Sequence, residues 1–240
     1  MAWPDGPAPE LPARFAGRPA LDASRCDAAC DDCRQSCPVG ALQRSGADNR
    51  LQLDLGRCIF CRTCEERCPT QAIRFTRQYR TAALRREDLL IGDDAEPALA
   101  AAGEEVRRLF GRSLKLRQVS AGGCNACEAD TNVLGTVGWD LGRFGIQFVA
   151  SPRHADGLLI TGPVPENMRL ALERTYQAVP SPKVVIAVGA CAIGGGPYVD
   201  HAEVCNGAAG VVPVDLFVPG CPPHPLTILD ALLGYLGRIE

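Results

Sequence analysis

From Leu114 onward, short apolar runs alternate with longer amphipathic ones. LKLRQVS, FGIQFVA, GLLIT, KVVIAVG and VDLFV have the length of strands, and segments such as ENMRLALERTYQAV between them have helical character. This alternation predicts a parallel sheet covered by helices over residues 113–240. The pattern upstream is different. Residues 1–20 are dominated by Pro, Ala and Gly and lack apolar periodicity, which predicts a flexible arm or a strap across a partner. Residues 21–78 contain two similar halves, Cys26 to Pro38 and Cys58 to Pro69, each a dense cysteine run followed by a short apolar stretch; such a pair predicts a two-fold module. Between 79 and 112, AALRREDLL and EEVRRLF have helix-forming composition with arginines and acids three or four apart, so a helical linker is expected.

Composition narrows the function classes. A chain of 240 residues with 46% hydrophobic content has room for one large domain or two modest ones with a buried core. Its 28 acidic and 25 basic residues are interspersed, leaving no basic face for a phosphate backbone, which argues against a nucleic-acid partner. The N-terminus has neither an apolar signal core nor paired arginines, and no run reaches the length of a membrane span, so a cytoplasmic protein is expected. In that setting thirteen cysteines, most in tight runs, point to metal ligation rather than disulfides.

Cys58, Cys61, Cys64 and Cys68, followed by Pro69, have the spacing C-x2-C-x2-C-x3-C-P of bacterial ferredoxins. Three closely spaced thiolates wrap one iron-sulfur cube, while the fourth ligates its neighbour. The first run, Cys26, Cys30, Cys33 and Cys37 with Pro38, opens with a three-residue spacer instead, read here as a local bulge. Crossed ligation then assigns Cys26, Cys30, Cys33 and Cys68 to one cluster, and Cys58, Cys61, Cys64 and Cys37 to the other. A pair of structural zinc sites is the alternative, although zinc favours two knuckles separated by a longer loop. Residues 21–78 resemble the two-cluster bacterial ferredoxin module of respiratory and hydrogenase complexes, which implies an α+β ferredoxin-like fold and an electron relay.

Four further cysteines follow apolar runs: Cys124 and Cys127 in GGCNAC, Cys191 in VGACAIGG, and Cys221 in VPGCPP. In an open parallel sheet the carboxyl ends of the strands share one edge, so these loops can bring four sulfurs together for a third [4Fe-4S] cluster. Glycines beside them permit close backbone approach and amide hydrogen bonds to sulfur. Gly194, Gly195 and Gly196 belong to such a loop, since no P-loop lysine with serine or threonine follows them. Cys205 matches no ligand position and is expected to be a small buried hydrophobe.

GGCNACEAD, RFGIQFVASPRHADGLLITGPV, VGACAIGGG and VPVDLFVPGCPPHP resemble the small subunit of energy-converting nickel-iron hydrogenases, including formate hydrogenlyase, and the related complex I cluster subunit. The resemblance covers nearly all of 114–240. It implies an α/β flavodoxin-like domain without flavin, and a cluster close to the active metal site of a partner large subunit. It further implies membrane subunits, an electron donor or acceptor protein, and a place on the cytoplasmic membrane held through partners. Asn125 and Ala126 separate Cys124 from Cys127, as in the hydrogenase branch; the complex I version has adjacent cysteines, and a nickel-free assembly of that type is the alternative. A glutamate implicated in proton movement often stands where this chain has Asp130, and Glu128 is a rival for that role; a helix cap is the alternative for either. His154 and His224 tune a cluster or are satisfied structural histidines.

Overall fold

The computed structural model describes residues 3–46, 48–93, 99 and 103–239. Its N-terminal repeat runs from β1 (Pro19–Leu21) through α1 (Asp32–Gln35), β2 (Leu42–Arg44) and β3 (Leu51–Asp54) to α2 (Thr63–Arg67) and β4 (Ile73–Phe75). β4 returns antiparallel to β1, with Pro19 opposite Phe75, and β2 pairs antiparallel with β3. From Cys30 and Cys61 onward the two halves correspond residue by residue. Cys33 and Cys64 are buried on α1 and α2, and after each Cys-Pro step the chain turns through a left-handed residue, Gly40 or Gln71.

AALRREDLL departs from its helical composition. Ala83 exchanges two backbone hydrogen bonds with Phe217 (3.0 and 2.9 Å), Arg86–Leu89 makes a short 3-10 turn, and β5 (Leu90–Ile91) adds antiparallel to β3. Pairing with both halves of the chain, and burial of Leu89 and Ile91, outweigh a weak local preference for helix. EEVRRLF does form α3 (Glu104–Phe110), while 94–98 and 100–102 of the expected linker lie outside the described residues.

The remainder comprises β6 (Leu114–Ser120), α4 (Ala126–Val133), β7 (Ile146–Phe148), β8 (Gly157–Thr161), α5 (Glu166–Ala178), β9 (Val184–Val188), α6 (Ala190–Gly194), β10 (Leu216–Val218) and α7 (Pro225–Tyr235). All five strands are parallel, in the order β7-β6-β8-β9-β10. Renumbered within the sheet, this is the 2-1-3-4-5 order of flavodoxin-like proteins. β8 and β9 are buried at every position, as strands covered on both faces must be.

All eleven residues of α7 are buried, and this helix is apolar nearly all round. Part of its cover is the N-terminal segment. Trp3 and Leu11, two large side chains in a stretch whose average composition is poor in them, are buried in the same apolar cluster as α7. The Arg143 guanidinium donates to the Trp3 carbonyl at 2.5 Å, and the Gly17 amide donates to the Thr76 carbonyl at 2.8 Å. The segment therefore packs against the chain itself, between the apolar cluster that holds α7 and the end of β4.

Candidate metal centre

In the N-terminal repeat the backbone is aimed at sulfur. The amides of Ala41 and Ala72 donate to Cys37 Sγ (3.3 Å) and Cys68 Sγ (3.2 Å), each four residues on, and the Phe60 amide donates to Cys58 Sγ at 3.3 Å. The left-handed residues that precede Ala41 and Ala72 bring these amides back onto their sulfurs. A shared alanine four places after the last cysteine of each run is the sequence trace of this turn.

The last cysteine of each run lies beside the other run. Burial pushes the Cys33 thiol up to about 11, and the neighbouring charges are those of Cys26, Cys68 and Cys30. Burial pushes Cys58 up to about 12; the Phe60 amide opposes it, while Cys64, Cys37 and Cys61 add to it. Cys64 is likewise raised to about 12 by burial, then by Cys37, Cys61 and Cys33. Cys37 thus stands with the second run and Cys68 with the first. An apolar cavity is lined by Cys37, Cys58, Cys61, Cys64 and Phe75 together.

The other four cysteines sit on loops at the carboxyl edge of the parallel sheet. Cys124 follows β6, Cys127 lies in the first turn of α4, Cys191 is on α6 directly after β9, and Cys221 follows β10. Burial raises Cys191 to about 11, with Cys221, Cys124 and Glu128 adding to it. Burial also raises Cys127, as do Cys191, Glu128, Cys221 and Cys124. Two glycines keep the sulfurs' space clear: a Cβ on Gly189 would stand 2.4 Å from Cys127 Sγ, and one on Gly196 2.7 Å from Cys191 Sγ. Both have positive φ, so another residue there would also be strained.

These sets can be tested against the chemistry of a metal. Thiols that are buried and repel one another's ionised forms resist becoming thiolates unless a positively charged core stands among them. Burial opposes ionisation at Cys33 in the first set, at Cys58 and Cys64 in the second, and at Cys127, Cys191 and Cys221 in the third, and amide donors reach sulfur in both N-terminal sets. That donor set fits an iron-sulfide cube, whose four irons spread its ligands apart.

Glu128 is 5% exposed, and its Oε1 accepts hydrogen bonds from Ser120 Oγ and Thr161 Oγ1, both at 2.7 Å. Burial opposes its ionisation, but the two hydroxyls hold its carboxyl below the usual value. Ser120 and Thr161 end β6 and β8, where the strand order reverses, so Glu128 ties α4 to the crevice in which flavodoxin-like sheets bind ligands. Glu128→Ala removes this acceptor from both hydroxyls, leaving Thr161 Oγ1 the Val119 carbonyl at 3.4 Å, and is expected to cost about 1–3 kcal/mol, with Glu128→Gln milder; chemical denaturation of the anaerobically purified protein measures both.

Asp130 is half-buried; burial raises its carboxyl and His224 lowers it. His224 Nδ1 accepts the Leu226 amide at 3.1 Å, capping α7, and its ring meets Phe15 and Trp139 edge-on at 5.6 and 5.9 Å. His154 is exposed on a 3-10 turn. Cys205 is half-buried, apart from the three sets, and donates to Glu166 Oε1 at 3.3 Å. Gly195 and Gly196 form the left-handed turn that closes α6 behind Cys191.

Residues 124–235 match the family model described as NADH ubiquinone oxidoreductase, 20 kDa subunit, and residues 51–74 match a 4Fe-4S binding domain. The probable membrane-bound hydrogenase subunit mbhJ of Pyrococcus furiosus is 40% identical over 132 residues, or 55% of this chain and 79% of the relative. The chain belongs to the 20 kDa subunit family. Formate hydrogenlyase subunit 7 of Escherichia coli is 43% identical over 129 residues, covering 54% of this chain and 51% of its own length. A subunit of the NADH-quinone oxidoreductase of Heliobacterium modesticaldum is 40% identical over 119 residues, covering 49% of this chain and 68% of its own length. These members of the 20 kDa family are subunits of oxidoreductases, and the present chain is an iron-sulfur subunit related to those of hydrogenases and complex I.

Proposed function

We propose that the chain is the electron-transfer subunit of a nickel-iron hydrogenase-type complex, with three [4Fe-4S] clusters between a partner large subunit's active site and an external carrier. The observation that supports this reading is proximity: Cys37 lines one apolar cavity with Cys58, Cys61 and Cys64, Cys68 lies beside Cys33, and Cys127 lies beside Cys124, Cys191 and Cys221. Cys26, Cys30, Cys33 and Cys68 would hold one cluster, Cys58, Cys61, Cys64 and Cys37 the second, and Cys124, Cys127, Cys191 and Cys221 the third. When bound, such clusters supply one-electron redox chemistry. Residues 21–78 act as a ferredoxin unit, 79–112 as the connection, and 113–240 as the unit that meets the large subunit.

Cys221 is raised by burial, Cys124 and then Cys61, while Cys64 senses Cys33, which supports the order C-terminal set, Cys58 set, Cys26 set. The chain's own contribution is spacing, amide donors to sulfur and apolar cover. Among the described residues no helix is long and apolar enough to cross a membrane, so a place on the cytoplasmic membrane would be held through membrane subunits.

The two residues between Cys124 and Cys127 favour a nickel-bearing partner. A nickel-free, complex I-like assembly is the second reading, favoured by the equal identity of the NADH-quinone oxidoreductase relative and the mbhJ relative. Metal content of the complex, purified anaerobically from its host, tests both. About twelve irons in this subunit (three clusters of four) with one nickel per complex is the expected result. Iron without nickel in an intact complex would select the second reading, and two or three zincs without cluster iron would overturn both.

A further inference from the structure

Gly56 is buried in the turn between Asp54 and Cys58, where that turn meets α6. A Cβ on Gly56 would stand 2.7 Å from Ile193 Cγ2 and 2.7 Å from Arg86 Cζ, far inside the separation at which carbon atoms pack. Across the same contact, a Cβ on Gly194 would stand 3.4 Å from the Gly56 carbonyl oxygen and 3.5 Å from Arg57 Cγ. The φ of Gly56 is not positive, so glycine is needed here for space alone. Gly56 stands two residues before Cys58 and Ile193 two after Cys191, so the contact joins the ligand loops of two sets. Both sides are held in place. Asp54 accepts the Gly56 amide at 2.8 Å on its side chain and the Cys58 amide at 3.0 Å on its carbonyl. The Ile193 amide donates to the Gly189 carbonyl at 3.1 Å, and Gly207 packs against the same helix, where a Cβ would stand 2.6 Å from the Ala192 carbonyl oxygen.

We infer that the close approach of Gly56 to Ile193 sets the spacing between the Cys58 and Cys191 cluster sites, which makes Gly56 a positioning residue for electron transfer between them. The contact rests on geometry; its part in electron transfer rests on the function proposed above. A methyl at position 56 would meet two neighbours that yield differently. Arg86 ends in a long flexible stem, and its guanidinium can swing aside at the expense of its two bonds to Asp54. Ile193 Cγ2 is fixed to a branched carbon that keeps one preferred rotamer in a helix, and the residue is buried, so it yields by moving α6. The methyl therefore drives the Cys58 turn and the helix of Cys191 apart. Electron tunnelling falls steeply with distance, so a small widening registers as slower transfer.

The test uses the intact complex with the wild-type chain, Gly56→Ala, Ile193→Ala, and the double variant G56A/I193A, which gives the added methyl the room of the lost side chain. With iron content unchanged, the magnetic coupling between the two reduced clusters is expected to weaken in G56A, and photoinitiated electron transfer between them to slow several-fold. The double variant is expected to regain both. I193A has a lower denaturant midpoint, because it leaves a cavity, yet it is not expected to slow the transfer, so lost stability alone does not reproduce the result. A G56A complex with wild-type coupling and rate, or a double variant as impaired as G56A, overturns the proposal. If G56A loses cluster iron, its return in the double variant supports the proposal and its continued loss overturns it. A wild-type subunit without iron overturns the function proposed above instead. High-resolution density then decides the contact: Cys58 and Cys191 farther apart in G56A than in wild type support it, and equal spacing overturns it.

Discussion

Cys68→Ala is expected to remove about four irons per chain, and to remove them from the site of Cys26, Cys30 and Cys33 rather than from that of its own run. Cys68, with Cys26 and Cys30, is a group whose charge reaches Cys33, while Cys37 lines the cavity beside Cys58, Cys61 and Cys64. The Cys68 thiol is also prepared for ionisation: burial opposes it, but the Thr70 hydroxyl and the amides of Ala72, Ile73 and Thr70 outweigh burial and lower it. The reduced-state electron paramagnetic resonance spectrum of C68A should match that of Cys30→Ala, and the spectrum of Cys37→Ala should match that of Cys61→Ala. If C68A pairs with C61A instead, each run holds its own cluster and the crossed assignment fails.

Asp54→Ala should produce the largest loss of stability away from the cysteines. Asp54 Oδ1 accepts the Gly56 amide (2.8 Å), the Arg57 amide (3.3 Å) and Arg86 (2.8 Å), and Oδ2 accepts a second Arg86 nitrogen at 2.6 Å. Its side chain is 17% exposed and that of Arg86 30%, so removing the carboxylate strands a largely sheltered guanidinium and frees the turn that enters Cys58. A cost of roughly 2–4 kcal/mol is expected, between a lost charged hydrogen bond and a broken buried pair. The measurement is the denaturant midpoint together with the rate of iron release to a chelator; both should worsen in D54A, and D54N, which keeps an acceptor for the amides, should fall between. An unchanged midpoint would mean that the β3–β5 packing alone holds this turn.

What could be read in advance follows the range of the interactions. The five apolar runs became β6 to β10 because strand length and burial on both faces are local properties, and ENMRLALERTYQA became α5 for the same reason. The four C-terminal cysteines were placed at one sheet edge by a rule about parallel strands, and the structure has them there. AALRREDLL misled because its conformation is set by Phe217, more than 130 residues away. Trp3 and Leu11 were hidden for a similar reason: their partner is α7, at the other end of the chain. Glu128 was legible as an acid near a cysteine, but its two hydroxyl partners end different strands, and only the register of β6 against β8 brings them together.

The contact between Ala83 and Phe217 bears on what the sheet can exclude. A parallel sheet ends in two rows of unpaired backbone groups, each a template on which a foreign strand can grow. On the β10 side the chain lays its own residue 83 against that row, and on the opposite side β7 offers only three residues, Ile146–Phe148. The chain thus leaves little room for lateral addition at either margin, which lowers its exposure to aggregation by strand capture.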